Sequence, residues 1–197
     1  MNRQCSKKLQ ARVTELRGSE TAIPVEVWAF DEHRLGLKPI LRKIWAPRGC
    51  RPIANGHHRY QWLYLYGFVR PTTGTVVWFI VDGVNTALFS AILAAFAREV
   101  GAGAGKHIIL VLDQAGWHVS EALEVPEGIE LMFLPAYSPE IQPAERLWSL
   151  TDEPIANEYF DSLEDLDQVL GQRCCILADE PDLIKAHTLF HWWPAHQ

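Results

Sequence analysis

His107-Ile108-Ile109-Leu110-Val111-Leu112 runs straight into Asp113. From Ile108 onward the run is apolar without alternation. That is the pattern of a strand covered on both faces, the central strand of a layered α/β domain. A carboxylate at the end of such a strand is costly unless something uses it. The arrangement recurs upstream, where Val25-Glu26-Val27-Trp28-Ala29-Phe30 ends at Asp31. A third acid, Glu145, opens a helical stretch just after Leu134-Pro135-Ala136-Tyr137-Ser138-Pro139-Glu140-Ile141-Gln142-Pro143. Hard cations such as Mg²⁺ take oxygen ligands, usually a few carboxylates together with substrate phosphates. Three acids on separate elements are the raw material of such a site.

Working outward, Arg59 to Val69 alternates aromatic and aliphatic residues and reads as a strand. Pro71-Thr72-Thr73-Gly74 is a turn, and Thr75 to Val81 completes a hairpin. Asn85 caps a helix over Thr86 to Val100. The following Gly101-Ala102-Gly103-Ala104-Gly105 is a link, not a phosphate loop: it lacks the Gly-Lys-Ser/Thr ending and precedes a strand. A short helix is expected over Val119 to Val125, a strand over Ile129 to Leu134, and a helix from Pro143 to Leu150. Ser162 caps a last helix ending near Ala178. Residues 1–22 read as a tail or short helix, with Leu9, Val13 and Leu16 at helical spacing and Lys7, Lys8 and Arg12 exposed. The order predicts an α/β domain over 23–197: a mixed central sheet flanked by helices, with a helical C-terminal extension. If Asp31 and Asp113 end neighbouring parallel strands, they meet at the edge where open α/β sheets bind ligands. Glu145, on a helix beside that edge, completes the cluster.

The chain has 197 residues, 48% hydrophobic and 21% charged, enough for one domain with a real core. No apolar run is long enough to span a bilayer. Cys5, Cys50, Cys174 and Cys175 show no metal-ligand spacing, and a reduced, cytoplasmic protein is expected. The net charge of −6 hides an asymmetry. Between His33 and Val81 there is no acid, against eight bases, whereas Glu121 to Asp182 holds sixteen acids and two bases. The basic stretch would present Arg34, Lys38, Arg42, Lys43, Arg48, Arg51 and Arg59 to a polyanion. His57-His58 has sidedness against a shared ion if extended.

The residues around the three acids are more specific than the acids. They are Phe30-Asp31-Glu32-His33-Arg34-Leu35-Gly36-Leu37 with Arg42, Trp45, Pro47, Gly49, Arg51 and Pro52; then Leu112-Asp113-Gln114-Ala115-Gly116-Trp117-His118; then Leu134 to Trp148. In this order they resemble the catalytic domain of DDE transposases of the mariner-like bacterial insertion-sequence group. The resemblance implies a ribonuclease-H-like fold and metal-dependent cut-and-paste DNA transposition. Carried over by position, the catalytic and metal-binding triad is Asp31, Asp113 and Glu145, with two Mg²⁺ or Mn²⁺ ions. Gln114, Ala136 and Gln142 depart from the usual pattern, where Asn, Pro and Asn stand. The implied partners are DNA, as transposon ends and a TA-containing target, and a second copy of the chain in a synaptic dimer. Family members carry helix-turn-helix domains ahead of this region, so such a half is expected to be encoded upstream.

Two metal ions roughly 3.5–4 Å apart can clamp the attacking and leaving oxygens of an in-line displacement at phosphorus. Asp31 would bridge both ions, with Asp113 and Glu145 each holding one. In supporting roles, His118 would orient Asp113, Glu32 would point to the opposite strand face from Asp31, and Arg146 would touch phosphate or pair with a carboxylate. Trp148 reads as packing that fixes its helix, and Trp192-Trp193 as a docked tail. The alternatives are a regulatory DNA-binding fragment without activity and a simple metal-dependent nuclease of the same fold.

Overall fold

A computed structural model describes residues 3–18, 23–50, 53, 59–136 and 138–194. Arg51 and the His57-His58 pair lie outside the described residues. In chain order the elements are α1 (Arg3–Arg17), β1 (Val25–Gly36), β2 (Trp62–Arg70), β3 (Thr75–Val81), α2 (Thr86–Val100), β4 (His107–Leu112) and β5 (Ile129–Phe133). Two 3₁₀ turns follow (Pro139–Ile141 and Ala144–Leu147), then α3 (Trp148–Thr151), α4 (Leu163–Ala178) and α5 (Pro181–Thr188).

The strands lie in the order β3-β2-β1-β4-β5. β2 pairs antiparallel with β1 and β3, while β4 runs parallel to β1 and β5. This is the mixed sheet flanked by helices that the sequence predicts. The β2–β3 turn needs Gly74, whose φ is 76°. A Cβ there would also meet Pro181 at the start of α5.

Successive strand residues face opposite sides, which explains why β4 is apolar throughout. Ile108, Leu110 and Leu112 join Trp28 and Phe30 against Phe89, Leu93 and Phe96 of α2. Ile109 and Val111 join Val25, Val27 and Ala29 on the other face, against Leu9 and Val13 of α1, Leu147, and Ile184 of α5. A third cluster joins Leu35, Leu63 and Leu65 to Leu166 and Leu170 of α4. The predicted caps hold: Asn85 accepts from the Leu88 amide, and Ser162 from the Asp165 amide.

Several elements differ from expectation. Residues 3–17 form a full helix docked on the sheet, and Arg12, expected exposed, makes a bidentate bond to Glu130 of β5 at 2.8 Å. β1 does not stop at Phe30 but runs to Gly36, because β2 continues to pair with it after β4 has ended. No helix forms over residues 119–125. Ser120 closes a turn there, with its carbonyl accepting from the Leu123 amide, and seven uncapped residues cannot meet the cost of helix nucleation. α4 is not the last helix: Pro181 starts α5, whose pattern is too short to stand out. Trp192 and Trp193 are buried in the α1-side core, a docked tail as expected.

Candidate active site

Ala29 on β1 stands opposite Val111 on β4 in a parallel register. Continued two residues further, that register sets Asp31 beside Asp113. Asp31 lies within β1 but at the point where its parallel neighbour ends, so the sheet opens there although the strand does not. Glu145 comes from the 3₁₀ turn Ala144–Leu147, which Ala144 and Leu147 anchor in the core. Asp31, Asp113, Glu145 and Gln142 line one cavity of about 410 Å³. The structure thus brings the three predicted acids to a single cleft.

Their electrostatics differ. Burial, reinforced by Glu32, Glu145 and Asp113, pushes the Asp31 carboxyl up to about 8; the Trp148 indole, donating to Asp31 Oδ2 at 2.9 Å, works in the opposite direction. Glu145 is also raised, by burial and then by Asp113. Asp113 is held below the usual carboxylate range by His118, whose Nδ1 lies 2.8 Å from Asp113 Oδ1, and by the Ala115 amide.

His118 is buried, with only 1% of its side chain exposed. Its Nε2 sits 3.4 Å from Glu32 Oε2. That pair is close enough for ionic attraction but lacks hydrogen-bond geometry, which leaves both atoms without a hydrogen-bond partner. Burial opposes a charge on His118, but Asp113 and Glu32 outweigh it and raise the imidazole to about 9. Glu32 is further held by Trp117 Nε1–H at 3.0 Å. Asp113, His118 and Glu32 therefore form one line from the rim into the interior, and Glu32 does face away from Asp31 as the strand period predicts.

The donor set suits a hard divalent cation. Every group facing the cleft that would serve as a ligand is an oxygen. The side-chain oxygen of Gln142 is buried with no hydrogen-bond partner, while its amide nitrogen donates to the Phe30 carbonyl at 2.9 Å. The mutual repulsion of Asp31, Asp113 and Glu145 is of the kind a bound cation relieves. Among the described residues no three His, Cys, Asp or Glu side chains are gathered closely enough to hold a metal ion as they stand. Gln114, one of the departures from the family pattern, reaches the Leu134 carbonyl at 2.7 Å and ties the β4 end to the β5 end.

The basic candidates fall differently. Arg34 stacks on Trp62 and Arg146 on Phe190, while Arg146 also acts on Glu145 by its charge, lowering that carboxyl. Arg42 bonds the Ser149 carbonyl and Asp152, and Arg59 bonds the Asp161 carbonyl. Lys38, Lys43 and Arg48 are exposed on the segment after β1. Sequence reasoning missed the contact of Trp148 with Asp31 and the pairing of His33 with Asp152. The only available signal was the three-residue spacing of Glu145 and Trp148.

A family model described as DDE superfamily endonuclease matches residues 26–167. An uncharacterized protein of Sinorhizobium fredii, y4pE/y4sA, is 37% identical over 137 residues, 67% of this chain and 97% of that protein. The Mos1 mariner paired-end complex with Mn aligns with a TM-score of 0.58 at 17% identity, over 92% of this chain and 60% of that one. The Mos1 strand transfer complex aligns at 0.55 and 16% identity, over 95% of this chain and 61% of that one. At these identities the likeness is one of fold, the ribonuclease-H-like sheet. The chain spans about 60% of the length of these solved structures.

Proposed function

Since this chain belongs to the DDE endonuclease superfamily, we propose that it is the catalytic domain of a transposase that cuts DNA at the ends of an insertion sequence and joins them to a target. The observation that carries this reading is the parallel β1–β4 register, which sets Asp31 beside Asp113 at an open sheet edge facing Glu145. Asp31, Asp113 and Glu145 are the residues that would hold divalent ions, two of them. Such ions supply the positive charge that stabilises the attacking and leaving oxygens at phosphorus.

The chain's own groups do the rest. His118 and Glu32 hold Asp113 in one orientation, and Asp113 stays ionised at neutral pH. Lys38, Lys43 and Arg48, exposed beside the cleft's own strand, contact the DNA backbone. In the first step a water oxygen bonds to phosphorus and the bond to the 3′ oxygen breaks, leaving a 3′-hydroxyl and a 5′-phosphate. In the second step that 3′-hydroxyl bonds to a target phosphorus and displaces another 3′ oxygen. The working form is a homodimer on paired ends, with end recognition by a helix-turn-helix half encoded upstream and a TA-containing target.

One assay tests the reading. The purified chain, supplied with the helix-turn-helix half, Mn²⁺ and DNA bearing the element ends, should give nicked and then joined products, and Asp113→Ala should abolish both. Nicking without joining would identify a simple nuclease, and binding alone a regulatory fragment. Cleavage that persists in Asp113→Ala would remove the triad from the mechanism.

A further inference from the structure

Asp31 is held by a side chain whose position is itself closely built. The Trp148 indole N–H donates to Asp31 Oδ2 at 2.9 Å. Two neighbours seat that indole, and a third group holds one of them. Gly67 stands directly opposite Asp31 in the β1–β2 register, and a methyl group there would lie 3.0 Å from the Trp148 ring. Trp78 would lie equally close, so the missing side chain leaves room for both rings. His33 is two residues beyond Asp31 and on the same strand face. Its ring stacks on the indole with centroids 5.0 Å apart and planes 16° apart. Behind it, His33 Nε2 lies 2.9 Å from Asp152 Oδ1, and Asp152 is buried at 8% exposure. Arg42 approaches the second oxygen of Asp152 at 3.5 Å.

We propose that Trp148 is a positioning residue for the metal-binding carboxylate of Asp31, and that Gly67, His33 and Asp152 seat its indole for that purpose. This rests on Asp31 being a metal ligand. A carboxylate left alone rotates about its last side-chain bond. One donor fixed on Oδ2 halts that rotation and leaves Oδ1, with the remaining lone pair of Oδ2, for a cation. Groups behind a metal ligand set its orientation in this way, and removing one typically weakens metal binding roughly 10–100-fold. The glycine matters because a Cβ there would crowd the indole's edge beside the acid.

The test is direct Mn²⁺ binding by the full chain, followed by calorimetry or by the resonance of free Mn²⁺. Trp148→Phe keeps an aromatic ring, smaller than the indole, and removes the donor. It should weaken Mn²⁺ binding about 10-fold or more. His33→Ala, which touches no ligand, should weaken binding in the native background and add almost nothing in Trp148→Phe, because it acts through the indole. Unchanged affinity in Trp148→Phe, or full additivity of the two substitutions, overturns the proposal. His33→Ala alone gives the same decision if Trp148→Phe fails to fold. A native chain that binds no Mn²⁺ overturns the metal reading of Asp31 and this proposal together. Binding lost in Asp31→Asn but intact in Trp148→Phe overturns this proposal alone.

Discussion

Without a metal, Asp31 holds its proton up to about pH 8, whereas the same carboxyl in an unfolded chain titrates near 4. Between those values the folded state binds the extra proton. Its stability is therefore full below the unfolded value and falls as pH rises through the folded one. Asp31→Asn removes the charge and keeps an acceptor for Trp148. It should raise the Tm of chelator-treated protein by roughly 5 °C near pH 8 and far less near pH 5; an equal gain at both values would contradict the shift. His118 is the other residue whose loss should be felt at a distance. His118→Ala frees Asp113 and strands Glu32 in the interior. Divalent-metal affinity, measured by calorimetry, should fall by roughly 10–100-fold. The three acids were legible in sequence because each follows an apolar run or a proline-rich turn. The support of Asp113 by His118 was legible as well, but that of Asp31 was not. Trp148 and His33 are aromatic residues like many others until the fold sets Trp148 over Gly67 and beside Asp31, with His33 stacked on it.

α1 illustrates the same division among elements. Its helical spacing of Leu9, Val13 and Leu16 is plain in the sequence, but docking depends on a sheet face assembled from residues far along the chain. Leu9 is 1% exposed there. Leu9→Ala should cost about 2–5 kcal/mol in urea unfolding, while a helix that merely lay in solvent would lose almost nothing. The Arg12–Glu130 bond adds to the docking, and Glu130 is held below its ordinary range mainly by that hydrogen bond. Its stabilisation is present above the ordinary carboxylate range and is lost as pH falls through the folded value. β1 carries the opposite lesson. Its sequence suggested an end at Asp31, yet the antiparallel partner β2 carries it on to Gly36. A strand's length is decided by its neighbour as much as by its own residues.

Across the whole molecule, charge is divided between a basic segment after β1 and an acidic C-terminal half, with a net value of −6. If the basic segment meets DNA, replacing Lys38, Lys43 and Arg48 together by Ala should weaken binding. It should also flatten the slope of log K against log salt by about 2–3, since each phosphate contact contributes about 0.9. An unchanged slope would place the DNA elsewhere on the surface. Arg42 and Arg59 are poorer subjects for that experiment because both already bond carbonyls of the body. The sequence by itself determined the layered α/β class and the helix caps, and it singled out the three acids that one cleft gathers. These follow from local periodicity, from side chains that satisfy their own nearby amides, and from acids placed where an apolar run stops. Only the tertiary structure decided that β1 and β4 run side by side in the register that joins Asp31 to Asp113. It alone set Glu145 across their cleft, Trp148 on Asp31 and His118 between Asp113 and Glu32. Those contacts link residues distant in the chain, and their geometry exists only once the sheet has assembled.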